Sequence, residues 1–181
     1  MMEDLSLHVL DIAENAIAAG ATRITILINE NEARDILTVR VSDNGPGMTE
    51  EAMHLALDPF FTTKGKRTGL GLPLLAQAAE QCGGSLTVSS VRGKGTKVVA
   101  RFRHRHIDRP PLTNMAGTLA VLVFGHPEIA FRYRHSRGGQ AFRFSSRRAL
   151  AGRPGLTPTL PDLISSVRDE LERGLRRIGR T

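Results

Sequence analysis

The sequence predicts an α+β fold: a two-layer α/β sandwich with a mixed, mostly antiparallel sheet, plus a small C-terminal α+β unit. Three observations predict it. Residues 1–103 read as helix, strand, strand, helix, helix, strand, strand, an order that lays helices on an antiparallel sheet. The strands are short, alternating and joined by polar or Gly-rich turns. The 181-residue chain is 40% hydrophobic and 24% charged, a balance that supports a packed core and excludes wholesale disorder.

Each element has its own signal. Leu5, Val9, Ile12 and Ala16 recur at helical spacing, and Gly20 stops that helix. Ile24, Ile26 and Ile28 alternate with polar residues as a half-buried strand does. Leu37, Val39 and Val41 mark a second strand over 36–42. Asp43-Asn-Gly-Pro-Gly-Met48 breaks the pattern. Thr49-Glu50-Glu51 reads as a cap with acids in the first turn of a short helix ending before Pro59. A loop over 58–69 carries Phe60, Phe61, Lys64, Lys66 and Arg67. A helix then runs from about Gly71 to Gln81, with Pro73 in its first turn and Gly83-Gly84 after it. Residues 85–91 and 96–102 form a hairpin around Arg92-Gly-Lys-Gly95.

Residues 104–116 read as a basic, Pro-containing linker, and 117–181 as a small basic α+β unit. Thr118–Phe124, Glu128–Arg134 and Ala141–Ser145 read as three strands, with the Arg137-Gly-Gly139 turn between the last two. Leu163, Val167, Leu171 and Leu175 form one stripe of a final helix. Three strands and one helix leave edges that packing on the first unit, or dimerisation, would cover.

Composition excludes several classes. The longest apolar run, Leu119–Phe124, is too short to cross a bilayer. Glu3 and Asp4 make the N-terminus unlike a secretory signal. Cys82 is the single cysteine, so no internal disulfide and no cysteine zinc site forms, and a reducing cytoplasm fits. The net charge of +7 is uneven: residues 1–103 hold 11 Lys+Arg against 12 Asp+Glu, and residues 104–181 hold 14 Arg against 6 acids. That excess could attract an acidic protein face or nucleic acid. Without a nucleic-acid motif or an aromatic stacking surface, the composition favours protein contact over nucleic acid.

Four stretches carry chemistry. Asp11 and Asn15 sit at i and i+4 on one helical face, with His8 a turn earlier. Asp43-Asn-Gly45-Pro-Gly47 follows a strand, so its carboxylate stands at a strand end beside glycines that let a flat ligand approach. Thr62–Leu72 combines Lys64, Lys66 and Arg67 with Gly65, Gly69 and Gly71 at a helix start. Backbone N–H groups and cations there suit phosphate. Gly93-Lys-Gly95-Thr96 closes the last hairpin. Taken singly, a solvated face, an Asx turn, a basic loop and a hairpin turn would each serve.

Together and in this order, Asn15, Asp43-Asn-Gly-Pro-Gly47, Pro59-Phe-Phe-Thr-Thr-Lys64 with Thr68-Gly-Leu-Gly-Leu72, and Gly93-Lys-Gly-Thr96 resemble the ATP-binding domain of the GHKL superfamily (the Bergerat fold), and most of all that of histidine kinases. The resemblance covers residues 5–103. It implies that Asn15 holds Mg²⁺ between nucleotide phosphates, and that Asp43 accepts from the adenine amino group. It implies that Gly45 and Gly47 line the adenine pocket, and that Thr96 reaches the base through water. Phe60 and Phe61 would anchor an ATP lid, while Lys64 and the backbone of Gly69, Leu70, Gly71 and Leu72 bind phosphate. Asp11 occupies the place where ATPases and anti-sigma kinases carry a glutamate general base. One methylene shorter, it could be a base, a water-mediated magnesium ligand, or neither.

With 14 residues before Asn15, and with His8, His104 and His106 outside a phosphoacceptor context, no phosphoacceptor domain is expected. The resemblance therefore implies a stand-alone, Mg-dependent ATP-binding protein, either a regulatory kinase like the anti-sigma-factor kinases or an ATPase. The alternatives are a nucleotide-sensing module without turnover and, behind it, a nucleic-acid-associated protein. Expected partners are ATP or ADP, a protein target and a second copy of the chain, with no membrane.

Overall fold

The computed structural model describes residues 4–57, 71–151 and 159–179. Helix α1 spans Leu5–Ala18, then β1 Arg23–Asn31, β2 Ile36–Asp43, α2 Glu50–Leu57, α3 Gly71–Gln81, β3 Ser85–Val91 and β4 Gly95–Arg103. Then come α4 Met115–Gly125, β5 Ala130–Arg137, β6 Gln140–Ser145, α5 Ser146–Leu150 and α6 Leu160–Arg177. The first seven elements stand where periodicity puts them.

The six strands form one sheet in the order β3-β4-β2-β1-β5-β6. Every neighbouring pair is antiparallel except β1 and β5, which run parallel from Arg23↔Ala130 to Glu30↔Arg137. Alternation decides which face is buried. Ile24, Ile26 and Ile28 of β1 meet Leu37, Val39 and Val41 of β2 and Phe131 and Tyr133 of β5 under the helices. Each fully buried side chain of this size contributes about 1.5–3 kcal/mol. Helix α1 packs between α3 and α4, α3 lies over β3 and β4, and α6 lies over β6 and against α4.

Two expectations beyond residue 104 need correction. Thr118–Phe124 is not a strand: it lies inside α4. Met115, Thr118, Leu119, Leu122 and Val123 are its buried residues, at i, i+3, i+4, i+7 and i+8. Apolar Ala116, Ala120, Val121 and Phe124 between them hide the helical period. Topology requires the helix as well. Strands β4 and β5 run in the same direction with β2 and β1 between them, and a parallel crossover needs a long, usually helical, connection. The expected strand Glu128–Arg134 is shifted to Ala130–Arg137, because a turn in which Ile129 N–H donates to the His126 carbonyl at 3.1 Å consumes the preceding residues.

The segment over 104–116 is tied to the body at both ends. The Leu5 N–H donates to the Pro111 carbonyl at 2.8 Å. The Asp4 carboxylate caps α1 through the Ser6 N–H at 2.8 Å and takes the Thr113 N–H at 2.9 Å and the Thr113 hydroxyl. At the other end, Glu30, whose side chain is 1% exposed, accepts from His135 Nε2 at 2.7 Å and His104 Nε2 at 3.0 Å. The Tyr133 hydroxyl reaches His135 Nδ1 at 2.8 Å. A carboxylate this deep is tolerable because its oxygens are hydrogen-bonded.

Candidate functional site

A cleft of ≈ 350 Å³ opens between α1, α2, the start of α3 and the starts of the Asp43 turn and β4. Its walls are mostly apolar, with Ile12 and Ala16 from α1, Leu55 and Ala56 from α2, and Met48 and Val98 beside them. Among the described residues three polar side chains enter it: Asn15, Asp43 and Thr96. An apolar slot with a few fixed polar groups is the usual form of a small-molecule site.

Asp43 ends β2, where strand pairing stops and the carboxylate leaves the sheet. Its Oδ1 accepts the Gly45 N–H at 2.8 Å and, more weakly, the Thr96 N–H at 3.3 Å. The side chain is thereby held in one orientation. Among the described residues no hydrogen bond reaches Oδ2, so that oxygen is available to a donor in the cleft. The next residue anchors the turn: Asn44 Oδ1 accepts from the Thr22 and Arg23 N–H groups at 3.0 and 2.7 Å.

Glycine is required at Gly47 and Gly95. Their φ values are +68° and +95°, and a Cβ would collide with the Val91 carbonyl at Gly47 and with the Asp43 carbonyl at Gly95. The Asp43 turn and the β3–β4 hairpin therefore lie backbone against backbone, an approach no side chain permits. Ser90 joins them. Its Oγ accepts the Met48 N–H at 2.7 Å, lies 2.9 Å from Thr96 Oγ1 and donates to the Gly95 carbonyl at 3.2 Å.

Of the expected site residues, Asn15, Asp43, Gly47, Gly71, Leu72 and Thr96 line the one cleft. Gly45 lies behind it and holds the Asp43 carboxylate through its N–H. Asp11 is exposed and does not line the cleft. It abuts the α3 start, where a Cβ on Gly71 would lie 3.4 Å from Asp11 Oδ2. Lys64, Gly69 and Leu70, with Phe60, Phe61, Lys66 and Arg67, lie outside the described residues. His8 is buried. Ser90, Met48 and the apolar walls of α2 went unnoticed in the sequence; the one available signal was that Ser90 faces Thr96 in the hairpin register.

A family model described as histidine kinase-, DNA gyrase B-, and HSP90-like ATPase matches residues 3–106. Sensor histidine kinase ZraS of Escherichia coli O157:H7 is 34% identical over 88 residues, 49% of this chain and 19% of that protein. Sporulation kinase C of Bacillus subtilis (strain 168) is 32% identical over 87 residues, 48% and 20% respectively. Sensor protein SrrB of Staphylococcus aureus is 34% identical over 107 residues, 56% and 18% respectively. The chain thus spans about a fifth of the length of the curated relatives it matches.

Proposed function

Because this chain belongs to the histidine kinase-, DNA gyrase B-, and HSP90-like ATPase family, we propose that its cleft binds Mg·ATP and that the protein is a regulatory kinase or ATPase. The observation that carries the reading is the meeting of Asn15, Asp43 and Thr96 in one apolar cleft beside the start of α3. The donor set fits the ligand. Asp43 is the single carboxylate among the described lining residues, so the cleft keeps room for negative phosphates. Asn15 supplies a neutral amide oxygen, a hard donor suited to magnesium that phosphates and water also coordinate.

Each residue then has a task. Asp43 accepts from an exocyclic amino group and disfavours guanine, whose carbonyl would oppose a carboxylate. Met48, Leu55 and Val98 exclude water around the base. The N-terminal turn of α3 offers N–H groups to phosphate oxygens, and the family resemblance assigns Lys64, outside the described residues, to the same phosphates. Asp11 orients a water or an acceptor hydroxyl. When bound, magnesium neutralises phosphate charge, and alignment plus that neutralisation supplies most of the rate in phosphoryl transfer.

A second reading, a nucleotide sensor without turnover, is favoured by one observation: Asp11 is exposed and stands outside the lining of the cleft. Calorimetric titration with ATP, ADP and GTP, with and without Mg²⁺, tests the main reading. ATP binds, GTP does not, and Asp43→Ala weakens ATP by about 10- to 100-fold, the worth of one hydrogen bond to a charged group. Asn15→Ala loses the Mg²⁺-dependent part. An Asp43→Ala protein with the parent's ATP affinity would sink the site. Phosphate release or transfer from labelled ATP that fails in Asp11→Asn selects the enzyme over the sensor.

A further inference from the structure

The four long helices α1, α3, α4 and α6 all pack on one side of the sheet, so among the described residues the other side is open. Strand parity sends Arg23 of β1, Arg40 of β2, Lys97, Arg101 and Arg103 of β4, Arg132 and Arg134 of β5 and Arg143 of β6 to that open side, and all eight are exposed. No strand places an acid there. Thr, Ser and Asn fill most of the remaining positions. Among the described residues Arg103 pairs with Asp35 at 3.4 Å, and the other seven form no ion pair.

The arrangement costs the isolated molecule stability. Arg134 stands directly opposite Arg143 across the β5–β6 ladder, and like charges in that position repel. Arg40, Leu27, Arg134 and Arg143 form one row across four strands. An open groove of ≈ 300 Å³ beside this row has an apolar floor that includes Leu27 and is rimmed by Arg132, Arg134, Arg143 and Arg148. An anion laid over the row would turn the repulsion into attraction.

We propose that the open face of the sheet is a docking surface for duplex DNA, gripped through its phosphate backbones without reading sequence. Three features select this partner. Protein-binding surfaces are depleted of charge, and here exposed cations flank the middle of the face on both sides with no strand acid among them. Single strands are held by aromatic stacking, and the aromatic side chains of β5 and β6 point into the core. Lastly, seven of the eight cations form two columns, β2 with β4 and β5 with β6, on either side of Thr25, Leu27 and Asn29 of β1, and Arg23 stands at the end of β1. At about 4.8 Å per strand the columns stand about 10–14 Å apart. That is close to the roughly 12 Å width of the major groove that two phosphate backbones border. The charge split along the chain conceals this face, because five of its cations come from residues 1–103 and three from residues 104–181.

The proposal does not rest on the nucleotide site, which lies on the helical side. Anisotropy of a labelled 20-base-pair DNA duplex with the full chain tests it. Binding is expected at 50 mM salt and is weakened about 1000-fold at 200 mM if six phosphates are neutralised. The double variant Arg134→Gln, Arg143→Gln keeps the parent's melting temperature or raises it, and reduces the salt slope by about 2. Arg168→Gln with Arg176→Gln, which removes equal charge from α6, leaves the slope unchanged. Absence of binding at 50 mM salt overturns the proposal. So does an equal loss from the α6 pair, and so does polyglutamate displacing the duplex more effectively than unlabelled DNA does.

Discussion

Gly47 shows what a single position can demand. Its φ of +68° and the Val91 carbonyl beside it leave no place for a methyl group. Gly47→Ala is expected to cost about 1–3 kcal/mol in urea denaturation and to weaken ATP binding, since the Asp43 turn must then withdraw from the β3–β4 hairpin. Unchanged stability would mean that this contact is not maintained in solution. At this scale Asn15, Asp43 and Thr96 were legible only through the order of the four motifs and the family resemblance it carries, because each taken singly reads as an ordinary face, turn or hairpin residue. Ser90 was not. Nothing separates it from Ser89 until the register sets it against Thr96 and sends its hydroxyl toward Met48.

Among elements, α1 matters most, since it presents Asn15 to the cleft and buries Val9 and Ala13 on the sheet. Its cap is sensitive to pH. Burial pushes the Asp4 carboxyl up, but hydrogen bonds from Thr113 and Ser6 outweigh it and hold the group below its ordinary 3.8. The carboxylate's contribution is therefore complete above the unfolded value and is lost as pH falls through the lower folded one. Asp4→Ala is expected to cost about 1 kcal/mol at pH 7 and to flatten the fall of melting temperature below pH 4. A variant that keeps the parent's acid profile would count against this cap. The periods of α1, α3, β1 and β2 were readable because each element has one polar face. Helix α4 was not, because apolar residues surround it and the helical and extended readings coincide.

For the whole molecule, the decisive fact is that β1 is an inner strand. One neighbour, β2, follows it directly and the other, β5, comes from the C-terminal half of the chain, and Glu30 binds both His104 and His135. A chain cut after residue 116 is expected to melt at a lower temperature than the full protein and to aggregate on heating, because β1 becomes an open edge and α1 loses its contact with α4. Equal melting temperatures would show that the first 116 residues fold independently. Little of this was legible in sequence. Alternation assigns each strand a buried face, but no local pattern says which strand lies beside which, and the cationic face exists only once that order is set.

The parallel β1–β5 ladder has a consequence for biosynthesis. Arg23 pairs with Ala130, so a nascent chain must extend by more than a hundred residues before β1 acquires its second neighbour. At about 5–20 residues per second the ribosome leaves that strand uncovered for several seconds. During that interval the growing polypeptide exposes an unpaired backbone to chaperones and to other nascent chains.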